Sequence, residues 1–386
     1  MQQFNSNADS SAVSDTSAMQ DIQSDVVMHD ISSQTGVSYR YRQLVEETRI
    51  VQSNDPYGVF SSAIWRLPTE ILARIFLYCI PEEGNWVPSP DVAPLQLTRV
   101  CQRWREIAVD MPSLWCRLRL EVGDGNWQQR AFCYDSYLKR SRGSKLSLTL
   151  ECHNSDWMEL QSLLQPYVDQ ISRLSVGFFS GAGSLPMADF RGLSELVIYT
   201  GGAATVPAVM HSIAQLPPTM RSLKLMDLWC DLTVLHAVKD LGWASLINLE
   251  IVVDKLDSFV RLLALCPNLS SLTMIGMFTR IETSEAFAHP KLQYLRISGH
   301  LNLDSIVDLG LFNAVTLPNL RGIEVRNIGQ WPHEQFNAFV TRSQCPLEAL
   351  IFGGGVMTTD QQLAEYATLF PSLYLVKDPT RSKFYF

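Results

Sequence analysis

The sequence predicts an α/β molecule in two parts. A small all-helical module is followed by a solenoid whose curved parallel sheet is lined outside by helices. Three observations carry this. The template apolar-x-x-apolar-x-apolar recurs from Trp115 towards the C-terminus of the 386-residue chain. Two short amphipathic patterns precede its first copy. Ahead of both lies a polar stretch too poor in apolar residues to offset the entropy of ordering.

That stretch, residues 1–55, is predicted to be a disordered Ser-rich, acidic tail. Asp9, Asp15, Asp21, Asp25 and Asp30 stand against one base, Arg40, so half of the net charge of −8 sits in the first forty residues. The segment YRYRQLVEETRIVQ (39–52) carries a weak pattern compatible with a short helix. Asn54-Asp55-Pro56 then breaks the chain.

The module spans 60–117. Its first helix is expected over Leu67–Ile80 in LPTEILARIFLYCIP, with Pro68 at the first helical position, where its missing N–H costs nothing. Glu70 meets the positive end of the helix dipole. Ile71, Leu72, Ile75, Phe76, Cys79 and Ile80 form one broad apolar face, and Leu77 and Tyr78 extend it beyond a narrow stripe. Pro81 is expected to end it. A polar, proline-punctuated loop (81–94) leads to a second helix over 95–110. That helix places Leu97, Val100, Cys101, Trp104 and Ala108 on one stripe, with Arg99, Arg103 and Glu106 largely opposite. Ser113-Leu114-Trp115 leads onward. A core of about 50 residues is marginal alone, so the module is expected to lean on a neighbour.

Residues 118–386 hold most of the repeats. The template is matched by WCRLRL (115–120), ISRLSV (171–176), LSELVI (193–198), MRSLKL (220–225), LINLEI (246–251) and LSSLTM (269–274). LQYLRI (292–297), LRGIEV (320–325) and LEALIF (347–352) continue it. KLSLTL (145–150) begins with Lys, and LYLVKD (373–378) is a fading last copy. From position 171 the steps are 22, 27, 26, 23, 23, 28 and 27 residues. Each copy supplies one short strand and a returning segment, with helices expected over Trp157–Val168, Leu256–Leu265 and Leu363–Phe370. One copy cannot bury its apolar face, whereas stacked copies share a continuous core. The array resembles leucine-rich repeats in degenerate form, since the Asn or Cys that ties each turn in consensus repeats is not regular here. Lys224, Glu250, Arg296 and Glu324 lie between apolar strand positions and are expected on the binding face, with mixed signs that select no simple ligand charge.

Several function classes lack their residues. Without a Lys/Arg stripe, nucleic acid is not expected as a partner. The eight cysteines form no C-x-x-C pair and mostly adjoin apolar residues, so they read as small buried hydrophobes in a reducing compartment. Cys152-His153 has no second ligand pair at zinc-like spacing, and no metal or cofactor is expected. The glycines of SGAGS (180–184) and FGGGV (352–356) lack a phosphate-loop Lys or a dinucleotide spacing and read as turns. No Gly-x-Ser-x-Gly or His-Glu-x-x-His occurs, and the histidines are scattered, His289 preceding a loop proline. No enzyme activity is expected. Neither a signal peptide nor a run of eighteen apolar residues is present, so the expected location is intracellular, cytoplasmic and/or nuclear.

The ordered blocks LPxEIL-x-x-IF, VC-x-x-W-x-x-I and LW resemble the F-box, in the F-box-like form common in mushroom-forming fungi. The resemblance covers about residues 64–117. It rests on Leu67, Pro68, Glu70, Ile71, Leu72, Ile75 and Phe76, then Val100, Cys101, Trp104 and Ile107, then Leu114 and Trp115. The loop 81–94 is longer and richer in proline than in a compact F-box. What the resemblance implies is docking. Those residues would bind a Skp-type adaptor and, through it, a cullin, while the repeats hold an unidentified target protein for ubiquitination. The alternative is a protein-binding repeat scaffold without a ligase, whose N-terminal helices only cap the solenoid.

Overall fold

Each template copy forms one strand of a single sheet in the structure, a computed structural model. It describes residues 66–81, 84–122, 127–152, 157–179, 185–200, 206–229, 241–253, 255–276, 286–299 and 310–378. The expected tail over 1–55, its helix over 39–52 and the 180–184 turn lie outside these residues. The chain divides into two units, Met1–Pro68 and Thr69–Phe386. Of the first, only Arg66, Leu67 and Pro68 are described; the helices and the sheet belong to the second.

The sheet has 11 strands that follow one another in chain order. They are β1 (Arg117–Val122), β2 (Leu146–Cys152), β3 (Ile171–Phe178), β4 (Glu195–Thr200), β5 (Ser222–Trp229) and β6 (Asn248–Val253). β7 (Ser271–Gly276), β8 (Tyr294–Ser298), β9 (Gly322–Arg326), β10 (Ala349–Phe352) and β11 (Tyr374–Lys377) complete it. All pairings within it are parallel. A helical first part followed by a repeat-like parallel sheet with outer helices is the expected α/β class.

The template explains the register. Its fourth position builds one row across the sheet, from Leu118 through Leu223 to Leu350, and the sixth builds a second, from Leu120 through Leu225 to Phe352. Both rows are buried from β1 to β10. Its first position precedes most strands and is buried too, as at Trp115, Leu193, Met220, Leu246, Leu269, Leu292 and Leu320. Each such side chain is worth about 1.5–3 kcal/mol when fully removed from water, and from β2 to β10 a neighbouring copy on each side helps to supply that area.

Without a regular Asn, the turns are tied by a main-chain series, joined at some copies by side chains such as Asn268 and Asn319, which donate to Ala244 O and Pro290 O. Amides at the start of successive strands donate to the preceding copy: Arg221 N to Ser194 O at 2.8 Å, Ile247 N to Arg221 O at 2.8 Å and Ser270 N to Ile247 O at 2.9 Å. The series continues with Gln293 N to Ser270 O, Arg321 N to Gln293 O and Glu348 N to Arg321 O. Backbone bonds make few demands on side chains, which is why the repeat tolerates so degenerate a sequence. His289, expected only in a loop, is a buried member of this system. Leu292 N donates to its Nδ1 at 3.1 Å, so Nε2 carries the proton and donates to Cys266 O at 3.0 Å.

Leu256–Leu265 is helical as expected. The Trp157 helix gives way after Leu164 to a 3₁₀ segment, Gln165–Gln170, where Pro166 removes a helix donor. The last outer helix begins earlier than expected, at Asp360, because Thr359 and Gln362 form a reciprocal capping box. At this end the core changes from leucine to aromatic, with Phe312, Trp331, Phe336 and Phe352 in ring contact. The FGGGV turn is present, with Gly355 at φ 71°. Cysteine placement departs from expectation. Cys266 and Cys345 are buried, but Cys79 and Cys133 are exposed, because apolar sequence neighbours do not decide which way a side chain faces.

Candidate functional site

The first helix, α1, runs Thr69–Tyr78, shorter at both ends than expected. Pro68 disfavours helical geometry at the residue before it. At the other end Cys79 N bonds both Ile75 O and Phe76 O at 3.1 Å, closing the helix before Pro81. Leu72 and Phe76, one turn apart, are fully buried. Ile71, Arg74 and Tyr78 share a different stripe by their spacing, and Ile71, Leu77 and Tyr78 are 45%, 47% and 76% exposed.

The second expected helix is two. α2 (Leu97–Val100) and α3 (Gln102–Val109) are separated by Cys101, which is extended at φ −161°, ψ 172°. Its Sγ accepts the Trp104 amide at 3.4 Å and caps α3. Helical phase is therefore not carried across Cys101, and within the single turn of α2 Leu97 is buried while Val100, expected on the same stripe, is 55% exposed. A cap leaves no periodic trace, so the pattern could not reveal the break. α3 returns over α1, with the Trp104 and Phe76 rings 4.8 Å apart.

A 3₁₀ turn, Pro112–Trp115, joins the module to β1. Trp115 is fully buried, donates to Ala108 O at 2.8 Å, stacks edge-on to Tyr137 at 4.8 Å and lies under the Arg140 guanidinium at 4.5 Å. The long proline-rich loop also reaches the repeats. Arg119 N of β1 donates to Trp86 O at 2.9 Å, Trp86 Nε1 donates to Tyr137 Oη at 3.2 Å, and the Asn85 amide bonds Ser147 and Thr149 of β2. Burial pushes the Tyr137 hydroxyl pKa up, keeping it protonated in this bond. The loop is thus a brace between module and sheet edge.

The thirteen predicted docking residues divide into two sets. Leu72, Phe76, Ile107, Leu114 and Trp115 are buried and build the module's own core. Leu67, Ile75, Cys101 and Trp104 are half-buried, and Pro68, Glu70, Ile71 and Val100 are exposed. A cavity of about 560 Å³ beside the end of α1 is lined by Arg74, Leu77, Tyr78, Trp86 and Arg117 among others. Leu77 and Tyr78 were legible as extra apolar surface; Arg74, Trp86 and Arg117 carried no signal, because it is the fold of the loop that brings Trp86 there.

On the sheet, Lys224, Glu250, Arg296 and Glu324 share one cross-strand row on the face opposite the leucines. They grade from surface to interior: the Lys224 side chain is 50% exposed, Glu250 24%, Arg296 13% and Glu324 0%. Glu324 accepts from the buried Arg326, and burial lowers the Arg296 pKa. Only the first part of this row is a surface.

These features define a class: a helical module with apolar side chains left outside, joined to a repeat-like parallel sheet. Residues 64–121 match the family model described as F-box-like. An F-box-like domain therefore occupies that segment, reaching four residues beyond the expected boundary, into β1. No curated protein matches the chain. Among the described residues no helix is long and apolar enough to cross a membrane, and no three His, Cys, Asp or Glu side chains converge as metal ligands.

Proposed function

We propose that the chain is the substrate-recognition subunit of an SCF-type ubiquitin ligase, docking a Skp-type adaptor and its cullin through the F-box-like domain and a target protein through the repeats. The observation that carries this is the exposure of Ile71, Leu77, Tyr78 and Val100 within that domain. A few such side chains can anchor a standard interface of about 1,600 Å². The chain would act by proximity, holding a target near the ubiquitin carrier, with no covalent step of its own. A second reading, a scaffold whose helices cap the sheet, draws on Trp115 and the loop contact to Arg119 N at the edge strand. A cap has no use for apolar residues left exposed to solvent. Co-purification separates the two: the wild-type chain retains a Skp-type adaptor and the double variant Ile71→Asp/Val100→Asp does not. Failure of wild type to bind, or equal binding of both, overturns the ligase reading.

A further inference from the structure

A polar depression of about 300 Å³ opens on the face of the sheet opposite the leucine rows, between β5 and β8. Strand register creates it. Ser222, Asn248 and Ser271 stand side by side, flanked in the same row by the longer Glu195 on β4 and Tyr294 on β8. The adjoining row holds Lys224, Glu250, Thr273 and Arg296.

The hydrogen bonding leaves this floor rich in donors. Arg296 Nη1 donates to Ser271 Oγ at 3.0 Å and Thr273 Oγ1 at 3.5 Å. A hydroxyl whose oxygen accepts from arginine keeps its own proton for another acceptor. Neither hydroxyl donates to any group among the described residues, and the Ser222 hydroxyl and Asn248 amide likewise have no partner among them. Lys224 Nζ lies 3.1 Å from Glu250 Oε2, with its side chain half exposed. Lys224 and Arg296 against Glu250 give the lining a net charge of one positive.

Small-molecule pockets are mostly apolar, whereas among the described residues the only apolar ones lining this depression are Leu223 and Leu249, from the buried row. Strands spaced about 4.8 Å apart make the floor about 14 Å long, the reach of about four extended residues. We propose that this depression binds an extended acidic segment of a target protein, taking one Asp or Glu carboxylate among the Lys224 ammonium and the Ser271 and Thr273 hydroxyls. A monoanion matches the net charge, while a phosphoryl group of about −2 exceeds it. The proposal rests on the reading that the repeats hold the target, and it does not depend on adaptor docking.

The test presents the full-length chain, without adaptor, to a positional-scanning tetrapeptide library containing Asp, Glu, Asn, Gln and phosphoserine at every position. At one position an acid is selected over its amide by about tenfold or more, the size of one charge-assisted hydrogen bond. Lys224→Met abolishes that selection. Glu250→Gln, which removes the competing carboxylate, strengthens it, and a gain of binding is not a consequence of misfolding. The absence of acid selection, selection unchanged in both variants, or phosphoserine preferred over Asp each overturns the proposal. Loss of acid selection in a chain that still retains a Skp-type adaptor places the failure in this depression and leaves the docking reading standing.

Discussion

In the repeats, apolar residues at the template positions are covered by the copies on either side, and the opposite face carries paired charges such as Arg173–Glu195 and Lys224–Glu250. In the helical module the same residue types are divided: Leu72, Phe76 and Trp115 turn inward while Ile71, Leu77, Tyr78 and Val100 stay outside. Among the described residues, six of the thirteen exposed large apolar side chains fall between Ile71 and Val100, the density on which the docking proposal draws. A repeat array solves its burial problem with its own neighbours; a module of three short helices does so only in part.

The comparison breaks most sharply at the junction. Trp115→Ala removes the side chain that belongs to both regions and should cost about 3–5 kcal/mol, read as a lower midpoint in urea unfolding. A drop under about 1 kcal/mol would mean that the module and repeats are not joined through it.

Within the repeats, Glu324→Ala takes away the carboxylate to which the 3%-exposed Arg326 donates. Breaking such a buried pair costs about 3–5 kcal/mol, whereas Glu250→Ala, in the half-exposed pair with Lys224, should stay within about 1 kcal/mol. Equal costs would erase the surface-to-interior gradient along that row.

A smaller effect separates the regions by pH. Burial lowers the His289 pKa below its usual 6.5, so the unfolded imidazole takes a proton before the folded one does. Stability is then full above about pH 6.5 and falls as pH drops below it. Nearby Lys291 acts in the same direction. Protonation would also displace the Leu292 amide from Nδ1. Thermal unfolding across this range should show a shallower pH slope in His289→Gln than in wild type. Equal slopes would remove His289 as the cause.

Much of the fold was legible because its organising signal is periodic. Every template copy became a strand, and even the fading LYLVKD pairs with β10 through Tyr374–Lys377. What escaped was non-periodic or distant in sequence. Cys101 breaks a helix by capping, and Asn85 reaches residues 62 and 64 positions away. In the module the sequence names the apolar residues but not which of them face outward. Ile71 and Leu72 are adjacent and equally apolar, and it is tertiary packing against α1 that decides that one is exposed and the other buried.

That division is open to one direct measurement. Ile71→Asp/Val100→Asp and Leu72→Asp/Phe76→Asp are compared with wild type for unfolding midpoint and for affinity to a purified Skp-type adaptor. The exposed pair should leave stability within about 1 kcal/mol of wild type, as two surface substitutions do, and weaken adaptor binding by about tenfold or more, as loss of interface anchors does. The buried pair should unfold the module. If the exposed pair binds the adaptor as wild type does, the outward apolar residues are not the docking surface.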